Sequence, residues 1–379
     1  MTTTRNFLSL CEYPDLDAEL GGLVGLLVGD AMGVPWEFQR PEELPSRSRI
    51  EMSPPAGYLR SHDGIPCGTW SDDGAQALCL LISLLECGKL CLPDLASKLL
   101  RWLDDGYMAV NGDIFDVGIQ TSQALDRLRQ GQSPETTGGT TERDNGNGSL
   151  MRVLSLALWH IGSDEALVAD AHLQSLPTHA HPRSMVACAF YCLVARGYLQ
   201  KLDDPWSWTD HKLEEIYKTW SNLRDKEAFL DELDVLRSFP AKHKPSGSGY
   251  VIDTIWSARR ALEQPSFEGV VRTAIRFGND TDTTTAVAAG LAGIRFGIAG
   301  IPKRWLTRLR GFELIEPIIP QLVSKMKTGC VVLRQDDLGN TRCWQSSFRY
   351  SNGSTCDHNE VRLSGKKSID LPRFGCESH

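Results

Sequence analysis

Two acidic clusters lie far apart in the sequence, and one fold has to account for both. The first is Ser71-Asp72-Asp73 and the second is Asp280-Thr281-Asp282-Thr283. A helix-forming run of small or apolar residues follows each cluster, so the pattern predicts that both stand at helix N-termini. If the two helix ends meet in space, their oxygens could bind divalent cations. That arrangement requires residues near 72 and near 280 to belong to the same domain.

Helix capping is the simpler explanation of each cluster, because Asp and Thr satisfy the free N–H groups at a helix start. The second cluster offers more than a cap needs, with Asp280, Asp282 and Thr283 within four residues. Residues two apart on a helix do not share a face, so joint action requires an irregular turn at the helix entrance. The candidate ligands are all carboxylate or hydroxyl oxygens, which favours Mg²⁺ or Mn²⁺ over Zn²⁺.

Composition and charge exclude several classes of function. The chain has 379 residues, of which 41% are hydrophobic and 23% charged, an ordinary globular mixture. Its net charge of -8 disfavours binding to nucleic acid or to an anionic membrane. The N-terminal residues lack the apolar core of a signal peptide, and the apolar stretch 286–301 is short for a membrane span and contains Arg295. Several cysteines fall in apolar helical patterns, so we expect a soluble protein of the reducing cytoplasm.

Helical periodicity dominates the chain and predicts an all-α fold. The predicted helices are 17–34, 74–86, 92–102, 114–129, 150–160, 184–199, 213–236, 252–262 and 283–296. Gly21, Gly25, Gly29 and Gly33 recur every four residues in the first helix, and a late helix is also rich in glycine. Glycine costs a helix about 1 kcal/mol relative to alanine, so such a stripe indicates close approach of another backbone. Both helices are therefore expected at the centre of the bundle.

Three other segments could carry function. Pro35 ends the first helix and places Glu37 between two aromatic residues, where its carboxylate would be partly desolvated. The glycine-rich segment 144–152 opens onto an apolar helix and could present backbone N–H groups to phosphate. Segment 178–182 precedes another helix and carries His179 and His181, which are separated by one residue and could suggest a metal site. Each also has an ordinary explanation: a polar loop residue, a loop with a Ser149 cap, and hydrogen-bonded loop histidines.

Taken in chain order, these segments resemble the ADP-ribosylglycohydrolases of the dinitrogenase-reductase-activating type. The resemblance covers residues 18–312 and depends on motifs that occur in the family's order, which are more specific together than alone. The motifs are Gly29-Asp30-Ala31-x-Gly33 with Glu37, Trp70-Ser71-Asp72-Asp73, Asn147-Gly148-Ser149-Leu150-Met151-Arg152, Thr178-His179, Ser248-Gly249-Tyr250-Val251, Gly278-x-Asp280-x-Asp282-Thr283 and a closing Gly300-Ile301-Pro302-x-x-Trp305. The resemblance implies a compact all-α catalytic domain, here residues 1–328.

The resemblance also implies roles for individual residues. Two divalent cations, Mg²⁺ or Mn²⁺, would be held by Ser71, Asp72, Asp73, Asp280, Asp282 and Thr283. The predicted catalytic residues are Glu37, Asp73 and Asp282. The resemblance implies that Glu37 is a further carboxylate near the metals, and our hypothesis is that it acts as general base toward the attacking water or guides it. The ADP-ribose cleft would be lined by Asp144, Asn147, Gly148, Ser149, Met151, His179 and Tyr250. Position 74 is commonly threonine in the family and is glycine in this chain, which predicts the loss of a supporting hydrogen bond.

The expected reaction is metal-dependent hydrolysis of the N-glycosidic bond of an ADP-ribosylated protein, with ADP-ribosyl-arginine as the first choice of substrate. Alternatives are hydrolysis of serine-linked or O-acyl ADP-ribose, a non-catalytic ADP-ribose-binding protein, and a metal-dependent phosphoesterase. The expected partners are the ADP-ribosylated protein and ADP-ribose, without nucleic acid or membrane. The sequence makes no prediction of oligomeric state.

Residues 329–379 lie outside the resemblance and are expected to form a C-terminal extension. Apolar runs at 331–333 and 361–363 suggest short strands or a loosely ordered appendage. Its cysteines, Cys330, Cys343, Cys356 and Cys376, form no C-x-x-C pair, so a zinc module is not supported.

Overall fold

The structure is a computed structural model that describes residues 6–220, 226–328, 330–335, 341–345 and 360–363. Regular secondary structure in the described residues up to 328 is helical, which confirms the predicted all-α fold. The α-helices are α1 (Asp17–Gly33), α2 (Asp72–Cys87), α3 (Leu92–Asp105), α4 (Ile119–Arg129), α5 (Leu154–Trp159), α6 (Asp164–Ser175), α7 (Pro182–Leu199), α8 (Pro205–Thr219), α9 (Lys226–Lys242), α10 (Val251–Ala261), α11 (Phe267–Ile275), α12 (Thr281–Phe296), α13 (Lys303–Arg308), α14 (Phe312–Ile315) and α15 (Ile319–Thr328).

Helices α1 and α12 lie side by side at the centre of the fold, as the glycine stripe predicts. A Cβ atom added to Gly25 would lie 2.5 Å from the carbonyl oxygen of Ala289. At the end of the stripe, a Cβ on Gly33 would lie 2.3 Å from Cα of Asp282. Real Cβ atoms do not approach this closely, so only glycine permits the contact. The stripe therefore sets the distance between the end of α1 and the first turn of α12.

The segment Pro14–Trp36, which contains α1, has the length and apolar composition of a membrane span. Its apolar window is 89% buried inside the fold. The core helix of a globular domain has the same properties, so the position of α1 between its neighbours accounts for its composition.

Three predicted helices differ from the observed ones. Helix α4 begins at Ile119 instead of residue 114, because Asp116 has φ of 54° and Gly118 has ψ of 139°. The single helix predicted over 213–236 is wrong, because Trp220 leaves the helix with ψ of 94° and the segment contains the end of α8 and the start of α9. Helix α5 begins at Leu154, since the residues from 148 to 153 form turns.

Three short strands lie in the C-terminal segment and form an antiparallel sheet in the order β1-β2-β3. They are β1 (Cys330–Gln335), β2 (Thr341–Gln345) and β3 (Glu360–Leu363), and they include the apolar runs at 331–333 and 361–363. Cys356 and Cys376 lie outside the described residues. The division of the chain after residue 328 stays a prediction.

Candidate active site

A cavity of about 800 Å³ opens beside the N-termini of α2, α4 and α12. Its volume is typical of sites that bind small molecules. Nine of the predicted site residues line it: Glu37, Asp72, Asp144, Asn147, Gly148, Met151, His179, Asp280 and Thr283.

The two acidic clusters converge at one end of this cavity, as the sequence predicts. Thr283 Oγ1 donates a hydrogen bond of 3.2 Å to Asp73 Oδ2, and Ser71 Oγ donates to the same oxygen at 3.2 Å. Asp73 belongs to the first turn of α2 and Thr283 to the first turn of α12. We call the four carboxylates Asp72, Asp73, Asp280 and Asp282 the acid centre.

Asp30 ties α1 to the start of α2 and so positions half of the acid centre. Its buried carboxylate accepts hydrogen bonds of 2.8 Å from the backbone N–H groups of Ser71 and Gly74. These are N–H groups that a helix start leaves free. Burial raises the pKa of Asp30 to about 7. No role was predicted for Asp30, although a lone acid in the apolar part of α1 indicates a specific polar contact.

The start of α12 has the irregular turn that the spacing of Asp280 and Asp282 requires. Gly278 and Asn279 have φ of 71° and 59°, and Asp280 has φ of -89° and ψ of 77°. Asp280 is then held from two sides, because its N–H donates to Gly247 O at 2.9 Å and its Oδ2 accepts from Asn147 Nδ2 at 2.8 Å. The predicted contact residue Asn147 therefore orients the acid centre directly.

Three buried oxygens of the acid centre have no hydrogen-bond partner: Asp73 Oδ1, Asp280 Oδ1 and Asp282 Oδ2. Burial, followed by the neighbouring acids, raises the pKa of Asp73 and of Asp282 well above the ordinary value, and burial raises that of Asp280. Leaving such acceptors bare is costly in a protein interior. Unpaired lone pairs in an oxygen-only set are what a hard divalent cation requires, so the residues present fit such an ion.

Glu37 faces the acid centre and is only 2% exposed. Burial, with further contributions from Asp116 and Asp280, raises its pKa to about 11. Its Oε2 lies 2.7 Å from His62 Nε2, and burial lowers the pKa of His62. This hydrogen bond orients the Glu37 carboxyl group.

Glu37, His62 and Asp116 form a second set of donors that could hold a metal ion, since one ligand atom of each lies within 4.8 Å of the others. The histidine makes this set suitable for Mn²⁺ or Zn²⁺ as well as Mg²⁺. Neither His62 nor Asp116 was predicted to belong to the site. His62 lies in a loop without periodicity, and Asp116 falls in the part of the predicted helix 114–129 that is not helical, so no local pattern indicated that they meet Glu37.

Two backbone N–H groups of the glycine-rich loop, which could have faced phosphate, instead donate hydrogen bonds to other residues of the protein. Gly146 N–H donates to Gln120 Oε1 at 3.0 Å, and Asn147 N–H donates to Gly249 O at 3.1 Å. Asp144 lines the cavity, but its Oδ2 accepts from the N–H and hydroxyl of Thr141, which lower its pKa. The loop is thus held in place before any ligand binds.

His179 is a neutral hydrogen-bond donor at the other side of the cavity. Burial lowers its pKa to about 3. Thr178 Oγ1 accepts from Arg152 Nη2 at 2.9 Å and lies 2.9 Å from His179 Nδ1, where its hydroxyl hydrogen can be donated to an unprotonated Nδ1. We therefore assign the ring proton to Nε2. A Cβ at Gly148 would lie 2.8 Å from Cε1 of the ring, so glycine is needed there.

Ser149 and Tyr250 are not among the residues that line the cavity. The Ser149 hydroxyl is buried and accepts from Ser175 Oγ at 2.8 Å. Tyr250 is partly buried, with its ring centroid 6.1 Å from that of Phe239. Their contacts with ADP-ribose stay predictions.

The model of the ADP-ribosylglycohydrolase family matches residues 14–331. This chain belongs to the ADP-ribosylglycohydrolase family. It is 30% identical to the ADP-ribosylarginine hydrolase Tri1 of Serratia proteamaculans over 313 residues, which are 82% of this chain and 80% of that protein. It is 28% identical to the ADP-ribosyl-[dinitrogen reductase] glycohydrolase of Rhodospirillum rubrum, over 77% of this chain and 90% of that protein.

Other comparisons agree with membership of the ADP-ribosylglycohydrolase family. ADP-ribosylhydrolase ARH3 of Xenopus tropicalis is 24% identical over 77% of this chain and 91% of its own length. A solved structure titled ADP-ribosylglycohydrolase-related protein complex superposes with a TM-score of 0.62 at 29% identity, over 81% of this chain and 96% of that chain. The prediction of a glycoside hydrolase is thereby confirmed.

Position 74, where this ADP-ribosylglycohydrolase has glycine, has no space for a side chain. A Cβ there would lie 2.7 Å from Cγ of Trp70 and 2.9 Å from Cδ2 of Leu27. The buried Trp70 ring thus occupies the place that a threonine would need.

Proposed function

We propose that this ADP-ribosylglycohydrolase cleaves the N-glycosidic bond between ADP-ribose and an arginine side chain, with two divalent cations, Mg²⁺ or Mn²⁺, as cofactors. The observation that carries the proposal is the set of unpartnered oxygens on Asp73, Asp280 and Asp282. The choice of arginine is supported by the relatives named ADP-ribosylarginine hydrolase, which are 30% and 28% identical, against 24% for ADP-ribosylhydrolase ARH3.

The cations would be held by the residues of the two helix N-termini: Ser71, Asp72, Asp73, Asp280, Asp282 and Thr283. Bound there, divalent ions supply positive charge that orients the ribose hydroxyls and a water molecule. Together with Glu37, the acid centre contributes five carboxylates, which nearly balance two divalent cations. The balance matters because helix N-termini repel cations, so the acids must overcome that repulsion.

Glu37 is proposed to take the proton of the attacking water. Cleavage of the bond from ribose C1 to nitrogen builds positive charge on the sugar ring. The water oxygen bonds to C1 while the guanidinium leaves as neutral guanidine, which then takes a proton from solvent. A base must be ionised, whereas burial and the neighbouring acids together raise the pKa of Glu37 to about 11. Positive charge at the acid centre would reverse their effect and lower that pKa.

The rest of the cavity is proposed to bind ADP-ribose. His179 Nε2–H can donate to an anionic or carbonyl oxygen without adding charge. Gly148 and Met151 line the same wall, so the ligand can approach the backbone closely. Asn147 connects this wall to Asp280 through its 2.8 Å hydrogen bond.

The direct test is hydrolysis of a peptide carrying ADP-ribosyl-arginine, with Mg²⁺ or Mn²⁺ in one arm and EDTA in the other. The proposal expects free ADP-ribose, detected by mass spectrometry, in the metal arm alone. Serine-linked peptide and O-acetyl-ADP-ribose serve as competing substrates. Release from these and not from arginine would contradict the proposed linkage. Binding of ADP-ribose without any release would instead indicate a non-catalytic reader.

We further propose a cytoplasmic setting and an accessory role for residues 329–379 beside a catalytic domain of residues 1–328. The seven cysteines between residues 11 and 192 are free thiols, which suits a reducing compartment. Deletion of residues 330–379 tests the accessory role, which predicts reduced turnover of an ADP-ribosylated protein and unchanged turnover of a modified peptide.

A further inference from the structure

Strained backbone positions occur at the cavity. Three of the six non-glycine residues with positive φ in the described part of the chain line it: Phe38, Asp116 and Asn279. Asn and Asp adopt such conformations fairly often, but for a bulky residue such as phenylalanine they are a true outlier. The φ of Phe38 is 59°. Strain of this kind costs roughly 1–3 kcal/mol and persists where the surroundings enforce it.

The backbone of Phe38 is held in this conformation by its neighbour across the cavity mouth. Phe38 N–H donates to Asn279 O at 2.7 Å, and Asn279 N–H donates to Gln39 O at 2.8 Å. The strained backbone places the ring in solvent, because Phe38 is 63% exposed. An exposed ring adds little packing energy, so protein stability does not explain its position.

The surroundings of the ring are suited to a flat cation. The ring centroid of Phe38 lies 6.1 Å from that of His62, which bonds to Glu37. Asp116 contributes a carboxylate within 4.8 Å of the ligand atoms of both His62 and Glu37. An aromatic face beside carboxylates is the environment that a guanidinium prefers, through cation–π contact and hydrogen bonds.

We propose that the Phe38 ring stacks on the guanidinium of the modified arginine and thereby selects an arginine-linked substrate. This inference rests on the proposed function, and it concerns the leaving group alone. The guanidinium keeps its positive charge while one of its nitrogens carries ADP-ribose, whereas a serine oxygen or an acyl group is neutral. Phe38 is next in sequence to Glu37, so it lies at the end of the cavity where the C1 bond is broken.

The test measures two quantities for each variant: KM for an ADP-ribosyl-arginine peptide, and Kd for free ADP-ribose, which has no leaving group. Phe38→Gly removes the ring and relieves the positive φ, so it should melt no lower than the wild type. We expect KM for the peptide to rise about tenfold, from the size of a partly desolvated cation–π contact, while Kd for ADP-ribose changes less than twofold. Phe38→Tyr, which keeps a ring, should recover most of the lost affinity.

Leu59→Ala is the matched control, because Leu59 is 85% exposed and does not line the cavity. It should alter neither quantity. Unchanged KM in Phe38→Gly, or an equal loss of ADP-ribose binding, would overturn the inference. If the wild-type enzyme releases no ADP-ribose from the arginine peptide, the proposed function fails. The two failures are distinguishable, because the first is seen only with an active wild type.

Discussion

Arg152 and the acid centre are both buried and charged, yet their hydrogen bonding is opposite. All three guanidinium nitrogens of Arg152 donate, to Gln174 Oε1 at 3.0 Å, to Gln76 Oε1 at 3.1 Å, and to Gln174 O and Thr178 Oγ1 at 2.8 and 2.9 Å. The acid centre instead leaves three buried carboxylate oxygens without a partner. A complete set of bonds stabilises a buried group, whereas an incomplete set is a cost that only a ligand can remove.

Complete or incomplete hydrogen bonding distinguishes structural from functional buried polar groups in this fold. Burial lowers the pKa of Arg152 to about 10, which leaves it charged at neutral pH. The two regions are joined by Gln76, whose Nε2 donates to Asp72 Oδ2 at 3.2 Å while its Oε1 accepts from Arg152. The satisfied network therefore helps to orient the unsatisfied one.

The largest expected effect comes from Asp282→Asn, which removes one of the unpartnered acids. We expect hydrolysis to fall by on the order of a thousandfold, because the loss of metal binding costs several kcal/mol in the transition state. The cation-free protein should become more stable, since the repulsion among buried acids decreases. Release of ADP-ribose measures the first effect, and thermal unfolding in EDTA and in Mg²⁺ measures the second. Asp105→Asn, at an exposed position, is the control. If Mg²⁺ raised the Tm of Asp282→Asn as much as that of the wild type, the unpartnered acid would not be a metal ligand.

Glu37→Gln should reduce turnover by roughly a hundredfold or more, the usual contribution of a general base. Binding of ADP-ribose should be largely retained, because the amide keeps the size and hydrogen-bonding shape of the carboxyl group. Single-turnover kinetics measures the rate of hydrolysis, and calorimetry measures the affinity for ADP-ribose. Turnover equal to that of the wild type would remove Glu37 from the mechanism.

Arg152→Met tests the satisfied side of the comparison. It leaves the acceptors on Gln76, Gln174 and Thr178 without their donor, which should lower the free energy of unfolding by about 2–3 kcal/mol. Urea unfolding measures the loss. The rise in Tm on adding Mg²⁺ should stay close to the wild-type value, because Gln76 can still donate to Asp72 without Arg152. A response abolished as in Asp282→Asn would show that the two regions cannot be separated.

The smallest expected effect concerns His172, a buried group bonded to Tyr217 Oη at 2.9 Å and stacked on Phe229. Burial lowers its pKa to about 3, against an ordinary value of 6.5, so the unfolded chain binds more protons between these values. Stability therefore falls as the pH falls below about 6.5, by at most about 1.4 kcal/mol per pH unit for this group.

His172→Phe should reduce the acid sensitivity and leave the Mg²⁺ response unchanged. Urea unfolding at pH 7.5 and at pH 5 measures the slope. A variant with the wild-type slope would indicate that other buried histidines, such as His160 and His179, account for the whole effect.

Much of the fold and part of the site could be predicted from local patterns. The glycine stripe in α1 indicated close packing because glycine has few other reasons to recur inside a helix. The acidic clusters indicated helix N-termini, and Ser71 and Asp280 are indeed the N-cap residues of α2 and α12. Cap chemistry and helical spacing are local properties, so the sequence contains them.

The remainder depends on tertiary contacts. Asp30 supports α2 only because α1 passes beside it, and His62 meets Glu37 only because two loops without periodicity fold together. In segment 213–236 the sequence pattern predicted too much regularity. The helical pattern continues past Trp220, but the backbone leaves the helix at that residue. The N–H groups of Gly146 and Asn147 were expected to be free and are taken by distant partners.

The central claim is that acids from α2 and α12 hold divalent cations beside Glu37. The most direct measurement is anomalous diffraction from crystals of the protein grown with Mn²⁺ and ADP-ribose. The account predicts Mn²⁺ peaks at coordination distance from Asp73 Oδ1, Asp280 Oδ1 and Asp282 Oδ2. A map with manganese only between Glu37, His62 and Asp116, or with none in this cavity, would contradict it.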